Sequence, residues 1–205
     1  MENLSSKLLE NAVNQLSKLP GVGKKSALRL ALFLLKQSEM EIELFTSSLL
    51  TMKKNLLYCT QCHNLSDTEI CEICSNPQRD KMQICVVQDI RDVIAIENTQ
   101  QYKGVYHVLG GIISPMEGVG PGDLNIQTLL EKCDNYKVSE LIFAMPATPE
   151  GDTTAYYIYK HIKDKVLKVT LIARGIGIGE ELEYADELTL GRSLLARTDF
   201  EGIFR

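Results

Sequence analysis

Four cysteines occur as Cys59-x2-Cys62 and Cys71-x2-Cys74, with eight residues between the pairs. Each pair can fold into a tight knuckle that turns two thiolates toward one point. Four converging thiolates match the tetrahedral preference of Zn²⁺ and leave no position for water, so the spacing predicts one structural zinc ion per chain. Two disulfides are the bland alternative. No targeting segment is read in the chain, which places it in the reducing cytoplasm and argues against them. An iron–sulfur cluster is the rival metal reading, because the same thiolates suit it. His63 follows a ligand directly and is expected to be a solvated neighbour rather than a fifth donor. Cys85 and Cys133 lie in apolar surroundings and read as reduced core residues.

A second chemistry is suggested by Leu19-Pro20-Gly21-Val22-Gly23, which joins two helical stretches. Gly21 and Gly23 permit backbone angles closed to other residues and let a partner approach without a Cβ in the way. The helix after them begins with free N–H groups and a partial positive charge, which together attract an anion. Lys24 and Lys25 open that helix. Lys25, Arg29 and Lys36 are spaced i, i+4, i+11, on one helical stripe. Gly21, Gly23, Lys24, Lys25 and Arg29 are therefore the candidate contacts to a DNA phosphate backbone, in the helix-hairpin-helix manner. An ordinary helical turn with capping glycines and a solvated basic face is the alternative. Charge distribution favours phosphate. The chain carries a net charge of −5, yet residues 1–58 hold 8 Lys and Arg against 5 Asp and Glu, whereas residues 59–80 hold 1 against 4 and residues 81–205 hold 13 against 18.

Carboxylates supply the third candidate. Glu150 and Asp152 lie two residues apart after an apolar run, and Gln88-Asp89 follows another. Three acids at the carboxyl ends of neighbouring strands would hold Mg²⁺ for phosphoryl transfer. Gln88, a neutral amide, stands where the first acid is needed, and Asp89 substitutes only if the backbone turns it inward. The plainer reading makes Asp152 a helix cap and Glu150 a solvated loop residue. No Ser/His/Asp or Cys/His nucleophile pattern is present. His107 and His161 read as packed or surface histidines.

The elements that must position these groups follow from periodicity. Apolar residues at Leu4, Leu8, Leu9, Val13 and Leu16 predict a helix over residues 4–18. A second helix is expected over 24–37, apolar nearly all round and therefore covered on most sides, by a partner chain among other possibilities. A third is expected over 41–57. Beyond Cys74 the short β-branched runs Gln83–Gln88, Val105–Leu109, Leu141–Met145 and Leu167–Ala173 alternate with helical stretches near 89–97, 124–133 and 153–163. That alternation predicts a parallel α/β sheet. Glycines cluster at 110–122 and 175–179 as shaped loops, and 197–205 reads as a short tail. Hydrophobic content of 44% and charged content of 24% are those of an ordinary globular protein, and no apolar run reaches transmembrane length.

Taken in order, LPGVGKKSALR (19–29), the Cys59–Cys74 module, ICVVQ (84–88), YHVLGGIISP (106–115), EGDTTA (150–155), ARG (173–175) and LEYADELTL (182–190) resemble the RecR family of bacterial recombination mediators over nearly the whole chain. The resemblance implies a helix-hairpin-helix region over 1–58, a zinc module over 59–80, a Toprim domain over 81–175 and a C-terminal assembly segment over 176–205. It implies a non-enzymatic, ring-like homotetramer that encircles DNA. It also implies work with RecO, and with RecF in many bacteria, to load RecA onto SSB-coated single strands. The family's DNA-contacting basic residues fall on Lys25 and Arg29, and the Toprim acids on Gln88, Glu150 and Asp152. Gln88 departs from the acid expected there, Glu150 replaces an Asp as is usual in the family, Gly177 stands where proline is frequent, and Pro146 interrupts a segment usually rich in Asn and Thr. The rival is a Mg²⁺-dependent Toprim nuclease or primase-like enzyme, which the missing acid at Gln88 weakens. A zinc-dependent transcription factor would need a base-reading helix, and none is evident.

Overall fold

A computed structural model describes residues 6–197, which divide into two compact units, the boundary falling between Leu56 and Leu57. Leu4 and the tail residues after Arg197 lie outside the described residues. Among the described residues no helix is long and apolar enough to cross a membrane.

The first unit is helical. α1 (Lys7–Leu16) starts at Ser6, whose hydroxyl accepts from the Leu9 amide. α2 (Lys24–Leu34) packs on α1 through Val13, Ala27 and Ala31, flanked by Leu9, Leu16, Val22 and Leu28. The two alanines let the helices approach closely. α3 (Glu39–Asn55) opens with a capping box, in which the Ser38 hydroxyl accepts from the Glu41 amide and the Glu41 carboxylate accepts from the Ser38 amide. None of α3's residues is buried. α2 ends earlier than the sequence suggests, so Lys36 sits in the turn after it rather than on the Lys25–Arg29 stripe.

The second unit begins with a two-residue antiparallel pair, β1 (Leu57–Tyr58) and β2 (Leu65–Ser66), around the first knuckle. A single turn, α4 (Glu72–Ser75), carries the second. The sheet follows: β3 (Asp80–Val87), α5 (Ile90–Asn98), β4 (Gly104–Val108), α6 (Ile126–Asn135), β5 (Glu140–Ala144), α7 (Pro149–Ile162) and β6 (Lys168–Leu171). Strand order is β4-β3-β5-β6 and every pairing is parallel, as the alternating runs predict. One face is covered by α6 and α7, where Leu129, Cys133, Ile158 and Ile162 meet Ile84, Val86, Leu141 and Phe143. On the other, α5 covers Cys85, Val87, Tyr106 and Val108 with Val93. Burial pushes the Cys85 thiol up to about 12 and Cys133 up to about 11, which keeps both protonated. α8 (Glu187–Leu195) follows a 3-10 turn at Leu182–Tyr184.

Candidate metal centre and nucleic-acid interface

The β1–β2 pair and α4 bring the four cysteines together. Their sulfur atoms all lie within 4.8 Å of one another, and Cys62 Sγ is 3.5 Å from Cys71 Sγ. Tetrahedral Zn–S bonds of about 2.3 Å place neighbouring sulfurs about 3.8 Å apart, so the cluster fits the ion. All four are buried. The Cys71 amide donates to Cys59 Sγ at 3.3 Å, a bond that favours a thiolate. Hydrogen bonding from Cys62 holds the Cys71 thiol far below its ordinary value, while that same sharing raises Cys62 and Cys74. Four sulfurs this close cannot all ionise unless a cation sits among them.

His63 departs from its expected role. It is half-buried, not solvated, and it sits at φ 60°, a left-handed conformation that costs a side-chain-bearing residue energy. Its ring is fixed by Thr128 Oγ1 at 2.8 Å and by an edge contact to the His107 ring, with centroids 5.2 Å apart. His107, fully buried on β4, has Nε2 2.7 Å from the Asn125 carbonyl, so Nε2 carries the proton. Its Nδ1 is then free to accept from Lys132 Nζ at 3.2 Å. Burial first, and Lys132 second, hold His107 down to about 3 and keep it neutral. The Val108 amide also donates to the Cys62 carbonyl at 2.8 Å. Nothing in the local sequence announces this cluster, because His63 and Thr128 are 65 residues apart. The one trace is Lys132, a charge beside the buried Leu129 and Cys133 on α6.

At the helical hairpin, the Val22 amide donates to the Leu19 carbonyl at 3.0 Å, with Pro20 and Gly21 at the centre. Gly21 has φ 77°, which makes this a type II turn whose third position excludes a Cβ-bearing residue at low cost. Gly23 differs from expectation. Its φ of −75° and ψ of 166° are open to any residue, so what it offers is size: a Cβ there would meet open space on the protein side. Gly23 is the N-cap of α2 and gives no side-chain hydrogen bond, leaving the first-turn N–H groups without a capping side chain. Lys24, Lys25 and Arg29 are all exposed. Among the described residues none of them is in an ion pair.

The acids at the carboxyl end of the sheet do not assemble as a metal site. Asp89 caps α5, accepting from the Arg91 amide at 2.7 Å and from the Arg91 guanidinium. Those bonds hold it below the usual carboxylate range. Gln88 gives its carbonyl to the Gly110 amide. Thr148, not Asp152, caps α7, accepting from the Gly151 amide at 3.1 Å. Asp152 instead accepts from Arg174 Nη1 at 2.7 Å, while Arg174 Nη2 reaches the Pro146 carbonyl at 3.4 Å. Glu150 is exposed on the first turn of α7. Gly151 between them is required, since a Cβ there would lie 2.2 Å from the Pro146 carbonyl oxygen. Gly177 donates its N–H to Glu180 at 3.1 Å, a bond that proline would lose.

Four segments match family models in chain order: RecR, helix-hairpin-helix over residues 9–53; RecR, four-cysteine zinc finger domain over 56–76; Toprim domain over 82–173; and RecR, C-terminal over 175–198. The recombination protein RecR of Flavobacterium psychrophilum is 58% identical over 98% of both chains. The chain belongs to the RecR family. The RecR of Bacteroides fragilis is 55% identical over 96% of both chains, and that of Porphyromonas gingivalis is 52% identical over 98% of this chain and 97% of the relative. The RecR zinc-finger match falls on the same four cysteines whose sulfurs converge, which identifies the cluster as a zinc-binding module. The RecR helix-hairpin-helix match spans the Gly21 turn and the basic start of α2. The Toprim match spans β3 to β6 and the acids at their carboxyl ends.

Proposed function

We propose that the chain is a non-catalytic DNA-binding mediator of recombinational repair. It acts in the cytoplasm as a ring-like homotetramer, joining RecO, and RecF where present, to help load RecA on SSB-coated single strands. The observation that carries the DNA contact is the start of α2, where the first-turn N–H groups lack a capping side chain and Lys24, Lys25 and Arg29 are exposed and, among the described residues, without carboxylate partners. Gly21 shapes the turn and Gly23 removes side-chain bulk beside the phosphate. Nothing in this arrangement reads bases, so binding is indifferent to sequence. One zinc ion per chain, on Cys59, Cys62, Cys71 and Cys74, is structural.

The non-catalytic reading is supported by Asp152 and Gln88. Mg²⁺ gives up its waters only for well-placed negative charge. Here Asp152 is engaged by Arg174, Asp89 caps a helix and Gln88 is neutral, leaving Glu150 as the one uncommitted acid of the set. Glu150 then serves as a partner-facing charge toward a basic surface on RecO, which would steer encounter, with Asp152, half-exposed and held by Arg174, at the edge of the same patch.

Fluorescence anisotropy of labelled single- and double-stranded DNA across a salt series tests this. The Lys25→Ala, Arg29→Ala double variant should bind all sequences more weakly and flatten the salt slope by about two units, one for each lost phosphate contact. Unchanged binding and slope would sink the clamp. Mg²⁺-dependent nicking lost in Asp152→Ala would favour the Toprim enzyme instead.

A further inference from the structure

Lys132 lies on α6 where that helix meets the zinc module. It lines a cavity of about 450 Å³ together with Cys74, Thr60 and Gln61 of the module and Thr128 of α6, with Glu131 and Lys81 as the other charged groups on the same wall. Lys132 is half-buried, and its ammonium donates to a single neutral acceptor, His107 Nδ1, at 3.2 Å. Among the described residues no carboxylate forms an ion pair with it. A partly buried cation with one neutral hydrogen bond is costly, and in folded proteins buried charges are paired. Burial pushes Lys132 down, and the negative groups that push it back are Cys62, Cys74 and Cys59. Four thiolates around a divalent ion keep about two net negative charges. Lys132 and Cys74 line the same cavity, so a cation without a carboxylate partner and a metal centre with surplus negative charge share one space.

The surroundings hold Lys132 in place rather than leave it to chance. Asn125, at the N-cap of α6, accepts from His107 Nε2 at 2.7 Å and from Thr128 Oγ1 at 3.1 Å. With that proton given away, Thr128 accepts from His63 Nε2, which directly follows the ligand Cys62. The β4 backbone adds the bond from Val108 to the Cys62 carbonyl. The His63–Thr128 and Val108–Cys62 links run between the cysteine module and the β4–α6 part of the sheet domain.

We infer that Lys132, held by His107, is the outer counter-cation of the zinc–tetrathiolate centre. The metal's grip is thereby shared with α6 of the sheet domain. Lys132 is a positioning residue for the ion, not a ligand. The inference rests on the zinc reading of the cysteines. Outer groups of this kind typically change metal affinity by about 10–100-fold.

The test uses the full chain and the rate at which zinc passes to a chromogenic chelator, with zinc content and far-ultraviolet circular dichroism recorded for each variant. Lys132→Gln keeps a donor for His107 Nδ1 but removes the charge. Lys132→Met removes both, and Lys132→Arg keeps the charge. The Gln and Met variants should release zinc about tenfold faster or more, and the Arg variant within about threefold of the unaltered protein. If Lys132→Met fails to fold, the Gln and Arg pair alone decides. Release from Lys132→Gln at the unaltered rate would show that the hydrogen bond, not the charge, matters, and would overturn the inference while leaving the zinc reading intact. Equal acceleration in the Gln and Arg variants would assign the effect to packing and overturn it likewise. An unaltered protein that is folded and carries no zinc would overturn both.

Discussion

His63 shows how one residue's backbone and side chain can be at odds. Its left-handed φ costs about 1–2 kcal/mol for any residue with a Cβ. The Thr128 bond and the His107 contact offset that cost only because both partners are in place. His63→Gly would remove contact and cost together, and His63→Ala would remove the contact and keep the cost. We therefore expect the Ala variant to be less stable than the Gly variant by about 1 kcal/mol in urea unfolding. The reverse order would mean the conformation is not strained. Gly151 carries the opposite kind of constraint. An added Cβ would lie 2.2 Å from the Pro146 carbonyl oxygen and 3.2 Å from its carbon, and backbone on both sides cannot yield cheaply. Gly151→Ala should cost about 2–3 kcal/mol, as overpacking does. Glu150→Ala, exposed beside it, should leave stability nearly unchanged, so the pair separates a structural role of this turn from a partner-facing one.

At the scale of elements, the sequence is legible where one element's pattern suffices. QICVVQ and its counterparts are β-branched, short and bounded, and all four sheet strands are found where these runs lie. The Cys-x2-Cys spacing marks its ligands because knuckle geometry is local. Legibility ends where position depends on distant chain. The β1 and β2 strands have two residues each, too few for any period to register. Arg174 is recognisable as part of a motif, but its partner Asp152 lies 22 residues earlier, and nothing local says the two meet. Asp152 is likewise readable as a cap, yet Pro149 opens α7 one residue after Thr148, whose hydroxyl takes that role. The hairpin turn, by contrast, is local and testable. Gly21→Ala forces a Cβ into φ 77° and should lower stability by about 1 kcal/mol. Gly23→Ala, at a conformation open to all residues, should melt close to the unaltered protein. If Gly23→Ala nonetheless weakens DNA binding, the loss comes from bulk beside the phosphate and not from the fold.

For the whole molecule, the first unit presents more apolar surface than an isolated helical hairpin should. Leu30, Leu32, Phe33 and Leu35 of α2 and its end are exposed, as are Met40, Leu44, Phe45, Leu49, Leu50 and Met52 along α3. Surface of that extent normally marks a contact with another chain, in keeping with the partner expected for an α2 apolar nearly all round. Assembly also addresses a difficulty in the charge balance. A chain of net charge −5 with three exposed cations at its hairpin is a weak phosphate binder alone. Several hairpins in the proposed ring would bind the same strand at high effective concentration, and avidity can exceed the single-site affinity by about 10²–10⁴-fold. Light scattering should therefore find the protein larger than a monomer. Phe45→Asp with Leu49→Asp, both exposed and remote in sequence from the basic turn, should shift it toward smaller species. The same double variant should lose about tenfold or more in affinity for long DNA. For an oligonucleotide short enough to meet only one hairpin, its affinity and salt slope should match those of the unaltered protein. A drop of equal size on short and long DNA would mean that α3 touches DNA itself. An unchanged mass in solution would remove this face from the assembly altogether.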